Sequence, residues 1–125
     1  MPKNILIIED NLHLRESLQE ILELEGYAVL VASNGVEGLE RACKDLPQLI
    51  LCDLKIPLLD GFAVIEALRA RAETAHIPVL ILAGLVDPES IRRGLELGAA
   101  DYVTKPFSPP LLLQRIRQRL AELHE

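Results

Sequence analysis

Five short aliphatic runs recur along the chain: Ile5–Ile8, Ala28–Val31, Leu49–Cys52, Val79–Leu82 and a weaker one from Ala99 to Val103. Each is continuous, not alternating, which is the pattern of strands buried on both faces. Between the runs, apolar residues recur three and four apart, as on one face of a helix. Leu14, Leu18, Ile21 and Leu22 form the first stripe; Val36, Leu39 and Cys43 form the second. Val64, Ile65 and Leu68 follow, then Ile91 and Leu95, then Leu112, Ile116, Leu120 and Leu123. Strand and helix therefore alternate in a (βα)5 order, the pattern of a single α/β domain. Right-handed crossovers turn it into a doubly wound, open parallel sheet with helices on both faces.

The expected helix ends are marked. Asn34 with Glu37 reads as a capping box. Asp87-Pro88 and Ser108-Pro109 each place a capping side chain before a proline suited to the first helical position. Gly26, Pro47 and Gly98 fall where helices should stop. With no repeat, low-complexity tract or linker, residues 1–125 read as one domain that ends with its last helix, any output domain being absent from this chain.

Composition narrows the classes. Half of the 125 residues are apolar and 26% are charged, which is ordinary for a globular domain. A chain of this length buries roughly two-thirds of its unfolded surface. The net charge is −6, and the excess lies in the first sixty residues, with eleven acids against five bases there and eight against eight beyond. Without a basic stripe, direct nucleic-acid binding is disfavoured. Cys43 and Cys52 have neither redox-pair nor zinc-ligand spacing and read as buried thiols in a reducing compartment. The apolar run near the N-terminus is too short for a signal-peptide core of about 7–15 residues. The charge-free stretch from His76 to Val86 is far short of the roughly 20 residues of a membrane helix. The expectation is a cytoplasmic protein without membrane insertion.

In open parallel sheets, ligands bind outside the carboxyl ends of the strands. Strand 1 runs into Glu9-Asp10, strand 3 into Asp53, strand 4 into Ala83-Gly84 and strand 5 into Thr104-Lys105-Pro106. Three carboxylates on one edge would repel one another unless a cation sat among them. Oxygen-only ligands suit Mg²⁺, and Lys105 suits a phosphoryl oxygen. A carboxylate beside a divalent cation and a lysine can attack phosphorus and form an aspartyl phosphate. Singly, each residue could be a solvated loop acid or base; the four together on one edge argue for chemistry.

Those residues stand in three segments. They are Ile5-Leu6-Ile7-Ile8-Glu9-Asp10-Asn11, then Leu51-Cys52-Asp53-Leu54-Lys55-Ile56-Pro57 with Asp60-Gly61, then Gly98 to Phe107 through Asp101-Tyr102-Val103-Thr104-Lys105-Pro106. Over essentially its whole length the chain resembles the receiver domain of two-component response regulators. The resemblance implies a flavodoxin-like sheet of order 2-1-3-4-5. It also implies that Asp53 takes a phosphoryl group from a sensor histidine kinase or a histidine phosphotransfer protein. Asp10 matches the direct Mg²⁺ ligand, and Glu9 the acid that holds the ion directly or through water. Asp53 and the backbone carbonyl of Lys55 complete that set. Lys105 matches the lysine that pairs with the phosphoryl group, usually beside a cis bond to the following proline, here Pro106. Tyr102 matches the aromatic switch residue. The helix 4–strand 5–helix 5 surface, here with Arg92, Arg93, Leu97, Tyr102 and Leu113, is where receivers dock a downstream protein or output domain, or form homodimers.

One position departs from the family pattern. Ala83 stands where the family has Thr or Ser, so a hydroxyl that would donate to the phosphoryl group is missing. Such a bond to a charged acceptor is worth about 1.5–3 kcal/mol. Its loss leaves attack by Asp53 possible but weakens the coupling to the distal face; it also leaves room beside Tyr102. Thr104 reads as a β-branched strand residue, not as a substitute hydroxyl. Leu58 replaces a frequent glycine, and Lys55 and Leu85 flank the site.

The expected function is a phosphoacceptor, with slow self-phosphorylation from small donors and self-dephosphorylation as its only catalysis. The alternative is a degenerate receiver acting as a phosphorylation-independent interaction module. An aspartyl-phosphate phosphatase would carry a second aspartate where Lys55 stands. A flavin carrier would need a phosphate-cradling loop where Glu9-Asp10 would repel phosphate. His13, His76 and His124 share no edge and offer no phosphodonor. Arg115, Arg117 and Arg119, with Glu122 and Glu125 nearby, read as a solvated face of the last helix.

Overall fold

The computed structural model describes residues 3–84 and 88–122. The expected cap at Asp87, the flanking Leu85, and Leu123, His124 and Glu125 lie outside those residues. In chain order the elements are β1 (Asn4–Ile8), α1 (Leu12–Leu24), β2 (Ala28–Ala32), α2 (Gly35–Asp45) and β3 (Leu49–Asp53). They continue with α3 (Gly61–Arg69), β4 (Val79–Ala83), α4 (Pro88–Leu97), β5 (Asp101–Thr104) and α5 (Pro109–Glu122). The strands are parallel and lie in the order β2-β1-β3-β4-β5, as expected.

The continuous strand runs have a simple cause. Ile5, Ile7, Leu49, Leu51, Leu80 and Leu82 point to one face and pack on Leu18 and Leu22 of α1 and on Leu112, Ile116 and Leu120 of α5. Leu6, Ile8, Ile50, Cys52, Val79 and Ile81 point to the other, over Ala42 of α2 and Val64, Ile65 and Leu68 of α3. Both faces are covered, so no strand position in the centre can be polar. The edge strands differ: four of the five β2 residues are half-buried, and β5 alternates. β5 begins at Asp101, later than the apolar run suggested. Ala99 and Ala100 instead carry the chain in from Gly98, and Ala100 N donates to Val79 O at 2.9 Å.

Two helices bury small residues most deeply, beside the stripe their large residues mark. In α2 the buried positions are Gly35, Gly38 and Ala42, while Val36 is 41% exposed and Leu39 and Cys43 are half-buried. In α4 Gly94 is buried and Leu95 is 39% exposed. The cause is close approach: a Cβ on Gly38 would collide with Ile8, and one on Gly94 with Ile81. Large sheet residues reach up to glycines on the helix, so the closest contact lies beside the stripe read from the large residues, of which Leu39 and Ile91 still pack against the core.

The caps form where expected. Asn34 Oδ1 accepts from Glu37 N at 2.8 Å, and Ser108 Oγ from Leu111 N at 3.4 Å. Leu46, in a left-handed conformation (φ 47°), ends α2 just before Pro47. Cys43 and Cys52 are free thiols, and burial pushes the Cys52 thiol up, with Asp53 and Glu9 adding to the shift. His13 and His76 are exposed. Among the described residues, no helix is long and apolar enough to cross a membrane.

Leu58 stands out in the loop after β3. Its φ is +70° and it is 78% exposed, while Leu59 N donates to Pro57 O across it at 2.8 Å. A side chain in left-handed backbone costs about 1–2 kcal/mol, which glycine avoids. Glycine also loses more chain entropy on folding, by roughly 0.5–1 kcal/mol. Leu58→Gly should therefore stabilise the domain by up to about 1 kcal/mol in urea unfolding; a loss of stability would contradict the strain.

Candidate functional site

The carboxyl edge of the sheet brings together residues from the ends of β1, β3 and β5. β1 runs into Glu9, which is 1% exposed, and then into the exposed Asp10. Asn11 N donates to Glu9 Oε2 at 3.1 Å, while Asn11 Oδ1 caps α1 by accepting from Leu14 N at 2.9 Å. One asparagine thus starts the helix and orients the buried acid. Arg15 Nη1, from the first turns of α1, donates to the Glu9 carbonyl at 2.9 Å.

Asp53 closes β3, buried, and its Oδ1 accepts from Lys55 N at 3.1 Å. Carboxylate oxygens of Glu9, Asp10 and Asp53 all lie within 4.8 Å of one another. Lys105 follows β5, held by its N–H donating to Ala83 O at 2.6 Å, with a cis peptide to Pro106. Its ammonium reaches Asp53 Oδ2 and lies 3.2 Å from Glu9 Oε1.

Charge in this cluster is only part-balanced. Burial, followed by repulsion from Asp53, raises the Glu9 carboxyl from 4.5 to about 7, against the lowering effects of Asn11 and Lys105. Burial works against the Lys105 ammonium too, but Asp53 and Glu9 outweigh it and lift Lys105 above its ordinary value. A single lysine does not neutralise three acids, so the donor set fits a small hard dication.

Beside the cluster lies a cleft of about 460 Å³, lined among others by Asp53, Lys55, Asp60, Phe62, Ala83, Ser90 and Lys105. Asp60 caps α3, its Oδ1 accepting from Ala63 N at 2.9 Å. Arg93 of α4 lies over Phe62, 4.2 Å from the ring centre. Ala83 is buried at the end of β4, paired in register with Thr104. Tyr102 is outside this cleft: it is half-buried against the α2–α4 core, and the Arg115 guanidinium lies 5.8 Å from its ring centre.

The last helix corrects an expectation. Arg115 and Arg119 do not form a solvated face. Being four apart they share one side of α5 and clasp Asp101 of β5, at 2.7 Å and 3.0 Å. Burial would raise Asp101, but the Tyr102 N–H and the two guanidiniums outweigh it and hold the carboxyl below its usual range. Arg15, Phe62 and Ser90 were not singled out from sequence either. Arg15 alone left a trace: it falls in line with Leu18 and Leu22, a base in an apolar stripe.

Comparison with known proteins gives this edge a family. The model of the response regulator receiver domain matches residues 5–117, and the chain belongs to that family. It is 41% identical over 120 residues to the DNA-binding dual master transcriptional regulator RpaA of Synechocystis, a match covering 96% of this chain and 49% of that protein. The chain thus spans about half the length of the curated relatives it matches. A CheY-like response regulator receiver domain protein from Methanospirillum hungatei superposes with a TM-score of 0.91 at 31% identity, covering 98% of this chain and 96% of the other. The receiver domain of a sensor histidine kinase from Pseudomonas aeruginosa, solved with magnesium coordinated in its active-site cleft, gives 0.90 at 25% identity, covering 97% and 99%. The fold and the two-component class are those of the receivers, which are signalling phosphoacceptors and not conventional enzymes.

The raised Glu9 sets a pH dependence. With a folded value near 7 against an ordinary 4.5, protonated Glu9 favours the fold. That contribution is complete below the unfolded value and is lost as pH rises through the folded one. Glu9→Gln keeps the neutral form at all pH. In magnesium-free buffer, its melting temperature relative to the parent should rise between about pH 5 and about pH 8; a flat difference would contradict the buried-charge account.

Proposed function

We propose that Asp53 is the phosphoacceptor of a two-component relay. The observation that carries this reading is Lys105 reaching both Asp53 and Glu9 across a trio of clustered carboxylates. An Asp53 oxygen attacks the phosphorus of a phosphohistidine on a sensor kinase or phosphotransfer protein, and the P–N bond breaks as the P–O bond forms. Lys105 pairs with the transferred oxygens, and the Lys55 N–H orients the attacking carboxylate. Glu9, Asp10, Asp53 and the Lys55 carbonyl would hold Mg²⁺. That ion, when bound, neutralises charge on the phosphoryl group. Self-phosphorylation by small acyl phosphates and slow self-dephosphorylation use the same groups.

Ala83 lines this cleft with a methyl group where a hydroxyl would bind the phosphoryl oxygen. The reading is therefore a receiver that accepts phosphate but transmits it weakly to Tyr102 and the α4–β5–α5 face. On that face Arg92 is tied to Glu89 and Glu96, at 2.7 Å and 2.5 Å, and Arg93 to Phe62. Half-buried Leu97, Tyr102 and Leu113 remain to meet a downstream protein, an output domain or a second copy. The DNA-binding name of the Synechocystis relative belongs to a protein twice as long. The acidic balance here supports a domain that does not itself contact nucleic acid, and the two free thiols fit a cytoplasmic setting. Ala83 also favours the second reading, a phosphorylation-independent interaction module.

Intact mass after incubation with Mg²⁺ and a small acyl phosphate should show one added phosphoryl group, absent in Asp53→Asn. No adduct on the parent chain, with Mg²⁺ binding intact, would leave the interaction-module reading. Ala83→Thr should enlarge the phosphorylation-dependent amide shifts on α4, β5 and α5. Unchanged shifts would refute the muted switch.

A further inference from the structure

The β1–α1 turn carries two of the three clustered acids, and a side chain outside the cluster shapes it. β1 pairs with β2 as far as Ile8 and Ala32, and Glu9 N still donates to Ala32 O at 3.0 Å. Beyond that point β2 turns away into Ser33 and Asn34, and α2 begins at Gly35. The Glu9 carbonyl is met instead by the guanidinium of Arg15, at 2.9 Å. A half-buried side chain thus extends the ladder by one rung. The Glu9 carbonyl belongs to the rigid peptide plane that joins Glu9 to Asp10. Fixing that plane sets the directions in which both carboxylates leave the strand end. Asn11 holds the same turn from its other side, through Glu9 Oε2 and Leu14 N.

We infer that Arg15 is a positioning residue for the Glu9–Asp10 pair, holding the two acids in a metal-binding arrangement through the Glu9 carbonyl. This rests on the reading of that cluster as a Mg²⁺ site. It predicts that Arg15 governs metal affinity and not the capacity of Asp53 to react. The chain has no tryptophan, so binding is read by calorimetry or amide NMR. Arg15→Ala should weaken Mg²⁺ binding about tenfold, the scale seen when an outer partner of a metal ligand is removed. Arg15→Met keeps the packing stem without the donor and should do the same, which guards against a folding defect in the alanine variant. Arg15→Lys, which retains a donor, should recover most of the affinity. Phosphorylation by a small acyl phosphate should shift to higher Mg²⁺ in the first two variants and reach the parent's plateau at saturation. Parent-like Mg²⁺ affinity in both Arg15→Ala and Arg15→Met would overturn the inference while leaving the site reading intact. A parent chain that binds no Mg²⁺ would overturn both.

Discussion

Everything at the functional edge depends on how buried negative charge is held there. Glu9 and Asp53 are acids at the ends of two neighbouring central strands, both shielded from water. Ionised together in that setting they would repel strongly. Lys105, brought from the far end of the chain, lies against both and relieves part of the repulsion. Burial, with repulsion from Asp53 behind it, still leaves the Glu9 carboxyl raised. An edge built this way is poised for added positive charge, and it tolerates an anion only together with a cation. A divalent ion and a phosphoryl group satisfy both conditions at once, which is why the geometry suits a charge-gated acceptor better than an anion-binding loop.

The sheet makes this convergence possible. A doubly wound order places β1 and β3 side by side, with β4 and β5 following, so residues 9, 53 and 105 meet although they are far apart in the chain. The apolar runs behind them are rigid because both faces are covered. Gly38 of α2 lies directly over Ile8, at the end of β1, and Gly94 of α4 over Ile81, in the middle of β4. Such contacts leave little room for strand ends to shift, since packed interiors transmit strain and do not absorb it.

The first four strands and the four edge residues Glu9, Asp10, Asp53 and Lys105 were legible in the sequence because each residue follows an aliphatic run, while the weak fifth run placed the start of β5 too early. Helix faces were legible where large side chains make the contact, as in α1, α3 and α5. They were only partly legible in α2 and α4: Leu39 and Ile91 do pack against the core, but glycines make the closest contact, and hydrophobic spacing carries no sign of that. While Arg117 is exposed as expected, Arg115 and Arg119 of α5 were misread for another reason. Their spacing is equally that of a solvated face, and only the placement of Asp101 on the neighbouring strand distinguishes the two. Arg15 left no trace beyond its place in the apolar stripe of α1, because its partner is a backbone carbonyl, which has no letter in the sequence.

The same contacts bear on how a change at Asp53 could reach the distal face. In the proposed switch a hydroxyl is missing at Ala83, but β4 and β5 remain joined at that point by the Lys105 N–H on Ala83 O. Lys105 directly follows β5, three residues beyond Tyr102, and Tyr102 lies beside Arg115, which together with Arg119 clasps Asp101. At its other end α4 is fastened through Gly98, whose carbonyl accepts two bonds from Arg69 of α3, at 3.0 Å and 2.8 Å. β5 and α5 are therefore bound to each other by charge, and the end of α4 is bound to α3. A pull on Lys105 is resisted along β5 by the Asp101 clasp. The path from Lys105 to the distal face is thus a stiff one, which supports the proposal of a receiver whose output is restrained.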